Sequence, residues 1–443
     1  MVLKTTYKKR LINLFFPLMI SNLIGQIQML IDRVFLGRMD ILYMSAVGNA
    51  SSAVAVTITL VFSLGTGASI LISQAVGEGD EVKAKDYAAS LLLYQNVLPI
   101  CLFFLWMFGS PVIFRLLGVE GDVLNYCIIY VRYLSPVFLL SGMGSALAVC
   151  LQTSNNTRPL VFYGLIRSGL NVFLDYALIF GNFGFPKMDI TGAALATTIS
   201  EFLGAIYISV VFLLNKKLST KPAFHQVFHA KLTLYLKSIK LGINAALEEL
   251  TWNMGNLMII AILNTIDDKA AGVYSILFSL ELLSTVAIGA LGSATVTLTG
   301  EASGAKNFQM FRYITKTAAT WSVAVATGAL ILYCVFPHQL LGFFTTDPDV
   351  IAGSVIYLIL VGINMFSKSG NIIVGSAIRG SGNTLWMLMT QAMGAVGVVA
   401  VAALLVFVFD LGMTGVFAAV LLDETSRACV NLAKFRKIRF ESN

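Results

Sequence analysis

Charged residues are scarce in this chain. Of its 443 residues, only 12% are Asp, Glu, Lys or Arg, whereas 57% are hydrophobic, and the mean hydropathy is +0.82. An ordinary soluble domain carries about 25% charged residues, so this composition excludes the soluble class. The sequence therefore predicts a protein that lies almost entirely within a lipid bilayer.

Cysteine and histidine are also rare, and their placement excludes several kinds of site. The five Cys, an odd number, fall in apolar segments without metal-ligand spacing, which favours small core residues over a disulfide framework. His225, His229 and His338 fall in predicted loops, where the spans cannot assemble them into a metal-ligand cluster or a Ser-His-Asp arrangement. We therefore expect neither an enzyme nor a cofactor.

Long apolar runs fill most of the chain. A helix needs about 20 apolar residues to cross roughly 30 Å of hydrocarbon. Twelve such segments are predicted: 11–36, 45–76, 87–114, 123–151, 159–182, 190–215, 237–265, 270–299, 311–337, 350–377, 385–409 and 413–433. The expected fold is an all-α integral membrane protein with twelve transmembrane helices.

Part of the sequence recurs at an offset of 227 residues. The recurring residues are Leu64, Gly65, Ala75, Gly77, Tyr130, Asn156 and Thr157, which match Leu291, Gly292, Ala302, Gly304, Tyr357, Asn383 and Thr384. Such repeats predict two pseudo-symmetric six-helix bundles, as in secondary transporters. The expected division is an N-terminal bundle at 1–215, a polar cytoplasmic linker at 216–236 and a C-terminal bundle at 237–443.

The basic residues predict the orientation. Most of the 30 Lys and Arg fall at the ends that face the cytoplasm if the N-terminus lies inside, as the positive-inside rule requires. Both termini are therefore expected in the cytoplasm, with a monomer crossing the cell (inner or plasma) membrane. The net charge of +7 is then a topology signal and no indication of nucleic-acid binding.

Two carboxylates fall at the same depth within the predicted spans. A charge at the bilayer centre costs at least about 2.5–3.5 kcal/mol, so it needs a partner or a wet cavity. Asp32 and Asp175 each lie about 7–8 Å below the outer end of an outward-running helix, and Asn171 precedes Asp175 by one turn on the same face. Because neighbouring carboxylates cannot both ionise cheaply, they can hold a proton or a small hard cation such as Na+. The alternative is a buried polar contact that steadies the bundle.

Two other pairs of intramembrane charges match in position. Arg167 and Glu201 lie at the same depth on neighbouring helices, and we predict that they neutralise each other. Asp423 and Arg427 are four residues apart on one helix, which also favours an ion pair. These pairs are interpreted first as structural, although Arg167 and Glu201 remain candidates for a substrate cavity.

The remaining intramembrane charges belong to the second half of the chain. Lys368 matches Glu248 and Glu249 in depth, and the residues favour an ion pair and a substrate site about equally. Glu281 and Glu424 have no evident partner in the sequence. A cavity lined by unpaired acids would suit a cationic substrate, so all five are candidates for a substrate cavity.

Several short motifs, in order, resemble those of one known family. They are Asp32-Arg33-Val34-Phe35-Leu36-Gly37, the Ser73 to Gly79 turn, Leu151 to Arg158 with its echo Ile378 to Thr384, Asn171-x-x-x-Asp175, and Thr191 to Thr197. Together they resemble the multidrug and toxic compound extrusion antiporters, over nearly the whole chain. The resemblance implies export of organic, preferably cationic, compounds by alternating access in exchange for H+ or Na+.

The resemblance also assigns roles to residues. In the DNA-damage-inducible branch, a helix 1 Asp, a helix 5 Asn and Asp, and a helix 6 Thr form the cation site. The matching positions here are Asp32, Asn171, Asp175 and Thr197. Another branch has carboxylates on its seventh and tenth membrane spans. Here the seventh predicted span offers Glu248 and Glu249, but the tenth has Lys368, which argues against a C-terminal cation site.

Three other function classes remain as alternatives. A flippase for a lipid-linked glycan or another amphipathic lipid would use a basic cavity, which Arg167 and Lys368 fit but the mainly acidic intramembrane residues do not. A membrane-embedded enzyme is disfavoured because the sequence offers neither a metal-ligand cluster nor a Ser-His-Asp arrangement. A channel is disfavoured by the duplicated architecture.

Overall fold

A computed structural model describes residues 2–37, 41–267 and 269–439, and these residues form helices without any strand. The helices are α1 (Val2–Gly37), α2 (Ile41–Glu78), α3 (Glu81–Tyr94), α4 (Val97–Leu116), α5 (Gly121–Leu134), α6 (Pro136–Thr153), α7 (Arg158–Phe180), α8 (Asp189–Leu214), α9 (Phe224–Phe228), α10 (Leu232–Leu263), α11 (Ala270–Gly304), α12 (Phe308–Val335), α13 (Pro337–Gly342), α14 (Pro348–Gly380), α15 (Thr384–Phe407) and α16 (Gly412–Lys437). The predicted all-α class is confirmed.

The long helices of the described residues match the twelve predicted spans. The third span is built from α3 and α4, the fourth from α5 and α6, and each of the others from one helix. The fourth span breaks at Pro136, the first residue of α6, because proline has no amide hydrogen to continue the helical ladder. The short helices α9 and α13 lie between spans.

Charge distinguishes three of the spans from the others. Within the described ranges, nine helical stretches are long and apolar enough to cross a membrane. The predicted spans outside those nine are α7, α10 and α16. These three helices carry Arg167 and Asp175, Glu248 and Glu249, and Asp423 and Glu424. The least apolar spans are therefore the ones that hold most of the candidate site residues.

The chain folds into two compact units. The N-lobe comprises Phe16–Ile72 and Asp80–Ile243, and the C-lobe comprises Met1–Phe15, Ser73–Gly79 and Asn244–Asn443. Helix α1 passes from the C-lobe to the N-lobe after Phe15, and α10 passes from the N-lobe to the C-lobe after Ile243. The two crossing points lie at nearly corresponding positions of the repeat. The division of the sequence at the 216–236 linker stays a prediction.

Two of the recurring glycines form a reciprocal contact inside the C-lobe. A Cβ atom on Gly77 would lie 1.9 Å from the carbonyl oxygen of Glu301, and one on Gly304 would lie 1.9 Å from that of Gln74. No side chain fits at such distances, so each backbone approaches the other only because both residues are glycine. Gln74 and Glu301 are themselves related by the 227-residue offset. The two contacts are therefore equivalent under the repeat, and α2 and α11 cross each other symmetrically at these glycines.

Candidate functional site

The four residues predicted as a cation site come together in the N-lobe. Asp32 of α1, Asp175 of α7 and Thr197 of α8 line a cavity of about 20 Å³, together with Tyr130, Ile179 and Ala193. Asn171 is fully buried and Asp175 is 2% exposed. The helical rise predicts the same depth for the two carboxylates. Because α1 and α7 both border the cavity, Asp32 and Asp175 meet there.

A chain of hydrogen bonds orients Asn171. Gln28 Nε2 donates to Asn171 Oδ1 at 2.6 Å, and Ser168 Oγ donates to Gln28 Oε1 at 2.7 Å. Asn171 Nδ2 in turn donates to Thr197 Oγ1 at 3.3 Å. The sequence reasoning missed Gln28, although it lies one turn before Asp32 and its spacing could have revealed it.

Each carboxylate of the cavity keeps one oxygen without a hydrogen bond. Asp32 Oδ1 and Asp175 Oδ1 are buried and have no partner within the described residues. A buried charged oxygen in this state is costly, and two neighbouring negative charges raise the cost further. A proton or a small cation between the carboxylates removes both costs. A cavity of about 20 Å³ holds roughly one water-sized particle, which fits either ion.

The predicted pair of Arg167 and Glu201 forms in the N-lobe. Arg167 Nη1 lies 2.8 Å from Glu201 Oε1, and the Tyr163 hydroxyl donates to Glu201 Oε2 at 3.1 Å. The Arg167 guanidinium also lies 5.7 Å from the centroid of the Tyr163 ring. Both charges are thus neutralised within the protein.

Lys368 has a different partner from the one predicted. Its Nζ lies 2.8 Å from Glu281 Oε1 of α11, so the prediction of Glu248 or Glu249 is wrong, as is the absence of a partner for Glu281. Glu248 instead accepts hydrogen bonds from Arg379 of α14, and Glu249 is exposed. Depth along a helix specifies the height of a side chain but not the neighbour that it faces, and Lys368 faces α11.

Glu424 also has partners that the sequence did not reveal. Arg427 Nη2 lies 3.0 Å from Glu424 Oε1, and Asn371 Nδ2 donates to Glu424 Oε2 at 3.1 Å. The predicted pair of Asp423 and Arg427 forms at 2.8 Å, and Arg427 Nη1 donates to Gln391 Oε1 at 2.7 Å. The guanidinium therefore holds two carboxylates and an amide in one network.

These charges border a second cavity, inside the C-lobe, of about 60 Å³. Its charged lining residues are Glu281, Lys368, Asp423, Glu424 and Arg427. Three acids face two bases, so the ionised lining carries one surplus negative charge. One wall is aromatic: Phe278 stacks between Trp252 and Tyr274, with ring centroids 5.9 and 6.1 Å apart. Surplus negative charge beside aromatic faces attracts a cationic group, and about 60 Å³ admits such a group rather than a whole drug-sized molecule.

Replacing Lys368 with Met tests the assigned ion pair. The change leaves the 8% exposed Glu281 as an uncompensated buried charge, so it should destabilise the protein by about 3–5 kcal/mol. Adding Glu281→Gln should restore most of that loss, measured as the thermal unfolding midpoint in detergent. Adding Glu249→Gln instead is the matched control and should restore nothing. A double Lys368→Met, Glu281→Gln variant no more stable than Lys368→Met alone would refute the pairing.

Membrane-spanning helices that bury ionisable side chains around two cavities, unpaired carboxylates in one and paired charges in the other, are typical of a membrane transporter. The chain belongs to the MatE family of multidrug efflux transporters, whose family model matches residues 17–177 and 245–410. This family consists of transporters rather than enzymes. The resemblance read from the motifs is confirmed at the level of the family.

The relatives cover nearly the whole chain. It is 28% identical over 440 residues to a probable multidrug resistance protein NorM of Thermotoga maritima, covering 98% of this chain and 93% of the relative. It is 26% identical over 450 residues to the multidrug export protein MepA of Staphylococcus haemolyticus, covering 96% and 92%.

Solved structures show the same fold. A MOP superfamily transporter from Pyrococcus furiosus matches with a TM-score of 0.90 at 20% identity, over 97% of this chain and 95% of that one. An outward-facing multidrug resistance MATE family transporter matches with a TM-score of 0.88 at 20% identity, over 97% and 95%. The predicted fold, twelve helices in two pseudo-symmetric bundles, is confirmed.

Proposed function

We propose that the protein is a secondary antiporter that exports organic, preferably cationic, compounds in exchange for H+ or Na+ by alternating access. The observation that carries this proposal is the N-lobe cavity, where Asp32 and Asp175 each keep a buried oxygen without a partner. A site that requires a cation for its own stability is a site that a cation gradient can load. Asn171 and Thr197 complete it, as in the DNA-damage-inducible branch.

The donor set of the N-lobe site favours a light cation. Two carboxylates and the hydroxyls of Tyr130 and Thr197 line the cavity, the Asn171 amide donates to Thr197, and none of the described lining residues is His or Cys. Oxygen ligands suit hard cations, whereas transition metals prefer nitrogen or sulfur ligands. The coupling ion in this proposal is therefore a proton shared by the carboxylates, or Na+ held at Asp32, Asn171 and Asp175.

The energetics of one coupling ion suffice for efflux. One elementary charge that moves down 100 mV yields about 2.3 kcal/mol. A tenfold concentration gradient costs about 1.4 kcal/mol, so one ion supports more than a tenfold gradient of a neutral or electrically compensated substrate. Coupling further requires that the bound cation weakens substrate binding. By thermodynamic linkage, bound substrate then weakens cation binding by the same factor.

The C-lobe cavity supports a cationic substrate class. A relative from Shewanella oneidensis, 25% identical over 349 residues, is described as an FAD transporter, so the family is not restricted to multidrug exporters in name. In this chain the surplus carboxylate and the Trp252, Tyr274 and Phe278 rings favour a substrate that carries a cationic group. The lipid-linked glycan flippase is disfavoured because its two candidate bases, Arg167 and Lys368, are both neutralised by glutamates.

Transport of a fluorescent organic cation into sealed vesicles tests the proposal. The purified chain is reconstituted, and a pH gradient and a Na+ gradient are imposed separately. One of the two should drive accumulation, and that gradient identifies the coupling ion. Absence of stimulation by either gradient, with confirmed insertion of the protein, would rule out the antiport.

The protein is further proposed to be a monomer in the cell membrane with both termini in the cytoplasm. Protease access to the termini in intact cells tests this orientation.

Gln28 is proposed to position the cation site. Its amide bridges Asn171 and Ser168, so Gln28→Leu should free the Asn171 amide and weaken coupling-ion affinity by about tenfold or more. The concentration of ion that half-saturates transport should rise, while the maximal rate at saturating ion should stay near that of the wild type. A fall in maximal rate without a change in half-saturation would contradict a positioning role.

A further inference from the structure

The C-lobe has a basic cavity at the C-terminal end of α16. It measures about 290 Å³ and lies between the turn after α14 and the last residues of the described chain. The residues that line it are Ser381, Asn383, Lys434, Lys437, Ile438 and Arg439. Three bases and two polar side chains meet there, and no Asp or Glu of the described residues lines the cavity. Its chemistry suits an anionic group with several oxygens, such as a phosphate.

A mainly apolar groove shares α16 with this cavity, and the ion pair of Asp423 and Arg427 also borders it. It measures about 380 Å³ and lies between α15 and α16. Its walls include Met393, Gly397 and Val401 from α15 and Ala419, Leu422 and Val430 from α16. Met393 is 73% exposed and Leu422 is 59% exposed, so the groove opens on the surface of the lobe. For a helix in a bilayer, such a surface faces lipid.

The cavity and the groove lie next to each other along one face of α16. Val430, Lys434 and Lys437 succeed one another at spacings of four and three residues, which places them on one face. Four residues of helix, about 6 Å, separate the groove at Val430 from the cavity at Lys434. Lys434 bridges that distance, with its Nζ 4.7 Å from the centroid of the Trp386 ring. Tryptophan is typical of the membrane–water boundary, where a phospholipid headgroup meets its acyl chains.

The dimensions also match a lipid. From Ala419 to Val430 the groove follows eleven residues of helix, or about 16 Å, which is close to half of the roughly 30 Å hydrocarbon core. The bases lie beyond that length, at the depth of the headgroups. Basic pockets between helices at the cytoplasmic side of a membrane bind anionic headgroups.

We infer that the α15–α16 groove and the basic cavity together bind one anionic phospholipid, with its phosphate at Lys434, Lys437 and Arg439 and an acyl chain along Gly397 and Val430. The site is separate from the N-lobe carboxylates, but its groove borders the C-lobe cavity, because Val398, Asp423 and Arg427 line both. It makes the C-lobe sensitive to the headgroup composition of the leaflet that contains the C-terminus.

Native mass spectrometry of the full purified chain tests this site with phosphatidylglycerol and phosphatidylcholine of matched acyl chains. The wild type should retain one phosphatidylglycerol with about tenfold or greater preference over phosphatidylcholine. The triple variant Lys434→Gln, Lys437→Gln, Arg439→Gln should lose that preference. The charge-matched control Lys216→Gln, Lys217→Gln, Lys231→Gln removes three bases elsewhere and should keep it. An equal loss in the control would overturn the site.

A second variant tests the groove without changing charge. A Cβ atom on Gly397 would meet no atom within 4 Å, so Gly397→Leu should fold while its side chain fills the groove, and both lipids should then be lost. Gly328→Leu on α12, also without an atom within 4 Å, is the control and should retain phosphatidylglycerol. Displacement of the lipid by an equal concentration of glycerol phosphate, or full binding by Gly397→Leu, would contradict occupation by a lipid.

Discussion

Replacing Asp175 with Asn should abolish ion-driven efflux and leave the protein folded. Asn keeps the size of the side chain and its hydrogen bonding, but it cannot hold the negative charge that attracts a coupling ion. With Asp175 neutral, the 2% exposed position no longer requires a cation. Accumulation of a fluorescent cation in vesicles should therefore fall to the level of vesicles without protein under either gradient.

The control for this variant is an aspartate outside the membrane. Asp122 lies in the first turn of α5 and is exposed, so Asp122→Asn should transport at close to the wild-type rate. The unfolding midpoint of Asp175→Asn in detergent should match or exceed that of the wild type, because a buried charge has been removed. Intact driven efflux in Asp175→Asn would refute the assignment of the cation site.

Gly304→Ala should prevent correct folding or assembly of the C-lobe. The added Cβ would lie 1.9 Å from the Gln74 carbonyl oxygen, which is a backbone atom and cannot move aside as a flexible side chain does. The two helices must separate by more than 1 Å, and overpacking of a tight core already costs about 1–3 kcal/mol in milder cases. A large fall in the yield of monodisperse protein is expected.

Another glycine of the same helix provides the comparison. A Cβ atom on Gly289 meets nothing within 4 Å, and alanine is a better helix former than glycine by about 1 kcal/mol. Gly289→Ala should therefore be neutral or slightly stabilising in the same thermal assay. If Gly304→Ala were as stable as Gly289→Ala, the close crossing of α2 and α11 would be wrong.

The sequence predicts much of the fold because its spans are long and their hydrophobic character is strong. Helices such as α8 and α15 are recognisable from apolar length alone, whereas α7 and α10 are less apolar because they carry buried charges. The recurring glycines indicated a repeat. Only the structure shows that Gly77 contacts the backbone of Glu301 and that Gly304 contacts the backbone of Gln74.

The candidate site was predictable where depth alone determines proximity. Asp32 and Asp175 lie at one height on neighbouring helices, and the structure places both at the N-lobe cavity. Partners that depend on the rotation of a helix about its axis were not predictable, which is why Lys368 was matched with the wrong glutamate. Gln28 was missed because a neutral amide in an apolar helix is less conspicuous than a charge.

Long-range pairs between segments of different roles were also beyond the sequence. Arg10 Nη1 and Nη2 each lie 2.6 Å from an oxygen of Glu301, across 291 residues of sequence. Arg10 belongs to the basic N-terminal run that indicates topology, and Glu301 lies in the last turn of α11, so neither residue indicated the other. The carboxylate of Glu301, 3% exposed, is thereby compensated within the C-lobe.

The central claim is that the N-lobe carboxylates hold the coupling ion that substrate displaces. Its most direct measurement is the number of ions released when an organic cation binds to the purified protein, followed with a pH indicator in weak buffer and with a Na+ electrode. The wild type should release either H+ or Na+ when the organic cation binds, whereas Asp32→Asn and Asp175→Asn should release neither ion. Unchanged ion release by both variants, with substrate still bound, would contradict the account.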